Sequence, residues 1–186
     1  LKKVCHAYGV SINEYLVAVY VWSVYTECMH GMPSERPVRV AVPVNLRPYF
    51  NSITTKNFFV MVSAEFHPTK EIYTFEEVLK SVSESLRSQI SRENLEKLFS
   101  YNVSNEKLLA ARIVPLFLKN LAMRYVYTTS ALANTATVTN IGNISVSEEY
   151  RPYVEMFHAF LAMSKGQHLK GTICSYGDTL VFSFSY

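Results

Sequence analysis

The chain has 186 residues, of which 49% are hydrophobic and 18% charged. This length fits one domain over residues 1–186, since no linker or repeat divides it, and the hydrophobic content excludes a chain that stays disordered. Lysine and arginine number 18 against 15 acidic residues, a net charge of +3 without the dense basic stripe of nucleic-acid-binding proteins. We therefore expect no nucleic acid among the partners.

The cysteines and the apolar runs bear on the cellular compartment. Three cysteines without a CxxC pair predict neither a disulfide framework nor a zinc cluster, and indicate a reducing environment. No apolar run approaches the roughly 20 residues of a membrane span. We expect a cytoplasmic protein without a membrane span. Because the chain opens with Leu1 and a helix follows almost at once, we also expect it to be part of a longer polypeptide.

The first third of the chain predicts a helix and two strands. Ser11 and Glu14 have the spacing of a capping box, and the helix that they open is apolar on almost every side, which predicts burial. Residues 37–46 alternate and are rich in valine, which predicts a strand with Pro43 at an edge or a bulge. Residues 57–66 predict a second strand.

The middle of the chain predicts helices. Thr74 and Glu77 form a second capping box, at the start of an amphipathic helix that runs to about residue 90. Further helices are predicted over 91–100 and 105–127, the second one interrupted at Pro115.

The last third returns to strands. Residues 135–142 predict a strand that ends in a turn at Gly142, and residues 154–163, which include His158, predict another. Residues 169–176 and 179–186 predict a hairpin.

The loop of this hairpin is Gly177-Asp178, which suits a type II′ turn. Its second strand is expected to turn one row of residues inward: Leu180, Phe182, Phe184 and Tyr186. Helices and strands thus mix, and the predicted class is α/β or α+β, with one mixed sheet flanked by helices.

Common catalytic motifs are absent from the sequence. The five histidines lack the spacing of a metal site, so neither a metal nor a catalytic histidine is predicted. The sequence contains no GxSxG, no GxGxxG and no GxxxxGK[ST]. The residues themselves thus predict no catalytic side chain and no bound cofactor.

Four polar residues near strand ends are candidate substrate-binding residues. Arg47 follows a strand, where its guanidinium either binds a carboxylate or phosphate or holds a loop through backbone carbonyls. Asn57, just before the second strand, either caps the polar loop that precedes it or pins that loop back onto the strand. Thr139 and Asn140 precede Gly142, where their donors either face a developing oxyanion or serve the turn.

Three segments in order carry a family resemblance: Val-Pro-Val-Asn-Leu-Arg-Pro, Asn-Phe-Phe and Thr-Asn-Ile-Gly, at residues 42–48, 57–59 and 139–142. In them the chain resembles the carboxy-terminal half of the chloramphenicol acetyltransferase-like superfamily, which includes alcohol acetyltransferases and the condensation domains of peptide synthetases. The opening helix and the closing hairpin extend the resemblance over nearly the whole chain.

The resemblance implies half of a two-part acyltransferase, in which a tunnel between similar halves admits a coenzyme A (CoA) or carrier-protein thioester and an alcohol or amine acceptor. The family's general base lies in an HHxxxDG motif of the amino-terminal half, and this motif is absent here. The expected partner is therefore that missing half. Thr139 and Asn140 match the segment near the thioester carbonyl, whereas Arg47 and Asn57 match positions beside the tunnel.

The alternative is a noncatalytic binding or interaction domain of the same fold. Under either reading we expect an exposed apolar surface and self-association of the isolated chain.

Overall fold

One mixed β-sheet organises the fold. The computed structural model describes residues 1–107, 114–163 and 169–186. The sheet has the order β2-β1-β3-β4-β5, in which β1, β3 and β4 are parallel and the two outer strands are antiparallel to their neighbours. This confirms the predicted α/β class with one mixed sheet. The strands are β1 Val38–Asn45, β2 Phe59–Phe66, β3 Ala136–Asn143, β4 Lys170–Tyr176 and β5 Thr179–Ser185.

Local capping chemistry sets two of the helix starts. In both predicted capping boxes the serine or threonine hydroxyl accepts the N3 amide while the N3 glutamate accepts the N-cap amide. The helices are α1 Lys2–Ala7, α2 Ile12–Ser23 with a π-helical extension Val24–Cys28, α3 Arg47–Phe50, α4 Phe75–Gln89, α5 Arg92–Lys107 and α6 Leu116–Leu132, followed by a 3-10 turn at Arg151–Tyr153. None of the helices that the structure describes is long and apolar enough to cross a membrane.

The core lies between one face of the sheet and the helices α2 and α4. α2 is buried on several sides, as predicted, with Val17 and Val21 almost fully enclosed. The alternation of β1 and β2 places their inward residues opposite one another, since Val40 pairs with Ala64 and Val42 with Val62. We call this the helix face of the sheet, and the opposite side the strap face.

Two of the helix predictions need different bounds. The helix predicted over 91–100 continues to Lys107. Pro115 lies immediately before α6, where its missing amide costs no helical hydrogen bond, so the predicted interruption is confirmed. Part of the predicted helix over 105–127, residues 108–113, lies outside the described residues.

The strand predicted over 154–163 is wrong. These residues form an irregular segment, which we call the strap, and the sheet position beside β4 is occupied instead by β5. Two side chains of β4 hold the strap on the sheet: Cys174 Sγ lies 3.2 Å from the carbonyl oxygen of Phe157, and Lys170 Nζ donates to that of Ala162 at 2.8 Å. His158 is therefore an exposed strap residue.

The turn predicted at Gly142 is also wrong, because β3 continues past this residue. Gly142 pairs with Cys174 after a register shift that begins at Asn140, and its φ of +87° marks a β-bulge. The hairpin turn is confirmed as type II′, since the φ of Gly177 is +56° and the φ of Asp178 is negative.

The inward row predicted for β5 is only partly covered. Phe182 and Phe184 stack on Tyr20 of α2, with ring centroids 6.1 and 6.0 Å away. Of this row only Phe182 is half-buried: Leu180 is 37% exposed, Phe184 is 48% exposed despite its contact with Tyr20, and Tyr186 is 96% exposed.

Candidate functional site

A cleft opens where the parallel strands β1 and β3 separate. The described ladder between them consists of two pairs, Val40 with Ala136 and Ala41 with Thr137. Pro43 lies beyond these pairs, on a stretch of β1 that pairs with β2 alone. β1 is locally an edge strand there, as predicted for Pro43, and proline is tolerated at an edge because it has no amide proton to donate. In open α/β sheets, ligands bind at the carboxyl ends of parallel strands. The cleft lies at that edge of the sheet.

Two cavities lie back to back at this cleft, one on each face of the sheet. The helix-side cavity has a volume of about 450 Å³, and the strap-side cavity about 440 Å³. Pro43, Asn45 and Asn140 line both cavities and so form the boundary between them. The helix-side cavity is completed mainly by Asn13, Glu14, Val42, Tyr49, Leu86 and Arg87, and the strap-side cavity by Arg47, Phe58, Phe59, Met61, Thr137, Thr139 and Leu161.

Two asparagines satisfy backbone groups where the strands part. Asn45 Oδ1 accepts the amide of Arg47 at 3.1 Å, and Asn140 Oδ1 accepts the amide of Gly142 at 2.8 Å. Each bond spans two residues, which is the local pattern that asparagine favours at turns. Asn140 Nδ2 also donates to Asn13 Oδ1 at 2.6 Å, so the side chain of Asn140 supports the bulge and ties β3 to the start of α2.

Arg47 holds the loop that follows β1. Its Nε donates to the carbonyl oxygen of Thr54 at 2.9 Å, Nη2 donates to that of Lys56 at 2.7 Å, and Nη1 reaches Asn45 Oδ1 at 3.2 Å. Of the two roles open from the sequence, the observed contacts are those of the loop-holding role. The guanidinium nevertheless borders the strap-side cavity.

Thr139 supplies a hydrogen-bond donor to the strap-side cavity. It shares the strap face with Thr137, two residues earlier on β3, and it pairs with Thr172 of β4. Among the described residues its hydroxyl has no hydrogen-bond partner, whereas the side chain of Asn140 has two. Thr139 is therefore the better placed of the two predicted donors to bind a carbonyl oxygen.

Asn57 lies apart from the other three predicted residues. It is exposed, lines neither cavity and makes no side-chain hydrogen bond to another described residue. The loop is held instead by Arg47 and by the amide of Leu46, which donates to the carbonyl oxygen of Phe58 at 3.0 Å. The structure thus brings Arg47, Thr139 and Asn140 together and leaves Asn57 outside.

A salt bridge forms part of the helix-side cavity. Arg87 donates to Glu14 through Nε at 2.7 Å and through Nη2 at 3.1 Å, and Nη2 also reaches the carbonyl oxygen of Gly9. Burial acts to raise the pKa of Glu14, but the bonds from Arg87 and from the Ser11 amide outweigh it and lower that pKa. Glu14 is thus held ionised and paired, and no described histidine lines either cavity.

Most of the residues that line the cleft were not predicted as site residues from the sequence, and three of them show why. Asn45 stands two residues before Arg47, a spacing that signals a local side-chain bond to the backbone. Asn13 and Leu161 carry no comparable signal, because they reach the cleft from α2 and from the strap, which are distant in sequence.

Comparisons with known proteins add no assignment to this geometry. A scan against protein-family models finds no match, and a search of curated proteins finds none either.

Proposed function

We propose that this chain is one half of a CoA-dependent acyltransferase, which moves an acyl group from a thioester to an alcohol or an amine. The observation that carries the proposal is the cleft between β1 and β3, where Arg47, Thr139 and Asn140 meet. These residues belong to two of the three segments on which the family resemblance rests. The fold is proposed to be the chloramphenicol acetyltransferase-like half.

In this proposal the chain positions the thioester and binds its carbonyl oxygen. The acceptor oxygen or nitrogen attacks the thioester carbon, the C–S bond then breaks, and the acceptor proton passes through the general base to the leaving thiolate. That base comes from the other half, since the cavities of this chain hold no described histidine. The Thr139 hydroxyl donates to the carbonyl oxygen as negative charge develops on it.

Two cavities that meet at one boundary suit a two-substrate reaction. The thioester of CoA or of a carrier protein and the acceptor approach from opposite faces of the sheet. They meet at the boundary formed by Pro43, Asn45 and Asn140, next to Thr139 on the strap side. The missing amino-terminal half covers the cleft and is the principal protein partner.

The test is thiol release from acetyl-CoA with a panel of alcohols and amines, run on the polypeptide that contains both halves, with the 186-residue chain as the paired control. Thr139→Val should lower turnover about 100-fold or more, which is the typical cost of losing one preorganised oxyanion donor. Thr137→Val is the matched control, because it changes the same side chain on the same face of β3. Equal activity of the two variants would remove Thr139 from the mechanism.

Asn140→Ala is a less specific test. Asn140 accepts the Gly142 amide at the bulge and binds Asn13, so its loss alters β3 as well as any contact with substrate.

A noncatalytic interaction domain is the second candidate, and the exposed helix α6 suits it as well as it suits an acyltransferase half that lacks its partner. Large apolar side chains around the whole circumference of this helix are exposed: Leu116, Phe117, Leu118, Leu121, Met123, Tyr125, Val126 and Tyr127. A helix that is apolar all round is normally enclosed by other protein. Thiol release by neither the two-half polypeptide nor this chain would favour this candidate.

A further inference from the structure

We infer that the strap-side cavity accepts a linear, uncharged alkyl chain of medium length. The inference rests on the proposed function, which places this cavity beside the acyl group that is transferred. Such a chain belongs either to the acyl group of the thioester or to an alcohol acceptor. The cavity volume of about 440 Å³ is within the range of small-molecule sites.

The apolar lining of the cavity is local to one end of β2. The outward side chains of this strand are Phe59 and Met61 and then Ser63 and Glu65, so the strap face changes from apolar to polar along the strand. Phe59 is 49% exposed and Met61 46%, although both have the size and chemistry of core residues. The two large apolar side chains stand side by side only where the cavity lies.

Other elements border the same open space with apolar groups. Pro43 of β1 pairs with Met61 across the strands, and Leu161 of the strap adds a further wall. Phe58 completes the lining at the beginning of β2. An alkyl chain placed here contacts apolar side chains from two strands and from the strap.

The polar groups of the cavity suit a neutral ligand. Arg47 is the only charged side chain among its lining residues, and its guanidinium already binds two backbone carbonyls. The hydroxyl of Thr139 has no partner among the described residues, and it is placed to donate to one oxygen of the ligand. The hydroxyl of Thr137, which also lines the cavity, likewise has no partner among the described residues, but Thr137 belongs to the last described pair of β1 with β3, whereas Thr139 lies beyond it. The cavity thus combines apolar walls with a few hydrogen-bond donors, which matches an alkyl chain that ends in a carbonyl or a hydroxyl group.

The experiment measures binding to the 186-residue chain by titration calorimetry, with CoA, acetyl-CoA, octanoyl-CoA and 1-octanol as probes. We expect octanoyl-CoA or 1-octanol to be the ligand of this cavity. If it is octanoyl-CoA, its affinity should be at least about tenfold above that of acetyl-CoA, since each buried methylene contributes to binding. Met61→Trp fills the cavity and should remove most of the gain. Met32→Trp is the matched control, because Met32 is 59% exposed and lines neither cavity.

The two variants also identify the source of the chain. Weaker binding of octanoyl-CoA alone in Met61→Trp assigns the cavity to the acyl group, and weaker binding of 1-octanol alone assigns it to the acceptor. Unfolding midpoints equal to that of the unsubstituted chain show that the variants remain folded. The inference would be overturned if Met61→Trp changed the affinities no more than Met32→Trp does, or if neither octyl probe bound.

Failure of the inference and failure of the proposed function give different results. One outcome overturns the alkyl site and leaves the acyltransferase proposal in place: CoA and acetyl-CoA bind, octanoyl-CoA binds no more tightly than they do, and 1-octanol does not bind. Binding of 1-octanol that is weakened by Met61→Trp, with no binding of CoA or its thioesters, supports the alkyl site and counts against a CoA-dependent reaction.

Discussion

Replacing Arg47 by alanine separates its structural role from a role in binding an anion. The side chain holds the loop after β1 by donating to the carbonyl oxygens of Thr54 and Lys56. If these bonds are its main contribution, Arg47→Ala should lower the free energy of unfolding and loosen the loop. If the guanidinium serves mainly to bind a phosphate or a carboxylate, the same substitution should weaken ligand binding and leave stability unchanged.

The expected loss follows from the two bonds to carbonyl oxygens. A hydrogen bond from a charged donor contributes about 1.5–3 kcal/mol, and the partly exposed position favours the lower end. Two such bonds give about 3 kcal/mol, which for a chain of this size lowers the melting temperature by about 6–12 °C. Arg47→Lys should recover only part of this loss, since an ammonium lacks the planar fork that reaches both carbonyls.

The assay is urea unfolding combined with hydrogen exchange. In Arg47→Ala the amide of Leu46, which bonds to Phe58, and the amide of Ser52, which bonds to Arg47, should exchange faster. Arg39→Ala is the matched control: it removes an arginine of β1, the strand that precedes the loop. The partner of Arg39 is Glu65, in a partly exposed ion pair at 3.0 Å that is worth less than about 1 kcal/mol. Equal unfolding midpoints for the two variants, with unchanged exchange of the loop, would refute the structural role.

Three further predictions concern other parts of the fold. Because the pKa of Glu14 is lowered in the folded state, its contribution to stability is present above the ordinary pKa and is lost as pH falls through the lowered pKa. The urea midpoint should therefore fall less steeply between neutral pH and about pH 3 in Glu14→Gln than in the unsubstituted chain. Equal slopes for the two proteins would contradict this. Gly142→Ala should lower the free energy of unfolding by about 1–2 kcal/mol, because its φ of +87° is unfavourable for alanine. The added Cβ meets no neighbouring atom, so the whole loss comes from the backbone. An unchanged urea midpoint would show that β3 adjusts without strain. The isolated chain should self-associate in sedimentation experiments through the exposed α6, and Phe117→Glu or Leu121→Glu should shift it toward the monomer; a chain that is strictly monomeric at high concentration would contradict this.

The sequence was most informative where one short segment contains all the atoms of an interaction. The two capping boxes involve residues three apart, and the hairpin turn depends on the conformational freedom of Gly177. Each of these features was predicted with its residues. The strands β1 and β2 were also predicted, because the alternation of apolar residues specifies which face of each turns inward, but their antiparallel pairing is known only from the structure.

The cleft could not be predicted in the same way. It depends on how far β1 and β3 pair before they separate, and these strands are joined by nearly one hundred residues of chain. The bond between Asn13 and Asn140 spans 127 positions and has no local signal. The strap shows the reverse problem. Its apolar residues resemble a strand, but β4 already pairs with β3 on one side and with β5 on the other.

The two asparagines at the cleft satisfy two backbone amides at the point where the sheet opens. Where parallel strands part, amides lose their partners, and an unpaired buried amide is costly. Asn45 and Asn140 each accept an amide two residues ahead, so these two amides are satisfied locally and need no partner on the opposite strand. Substituting either asparagine by leucine should therefore both lower the free energy of unfolding and narrow the cleft. A variant that kept full stability while losing ligand binding would instead assign that asparagine directly to the ligand.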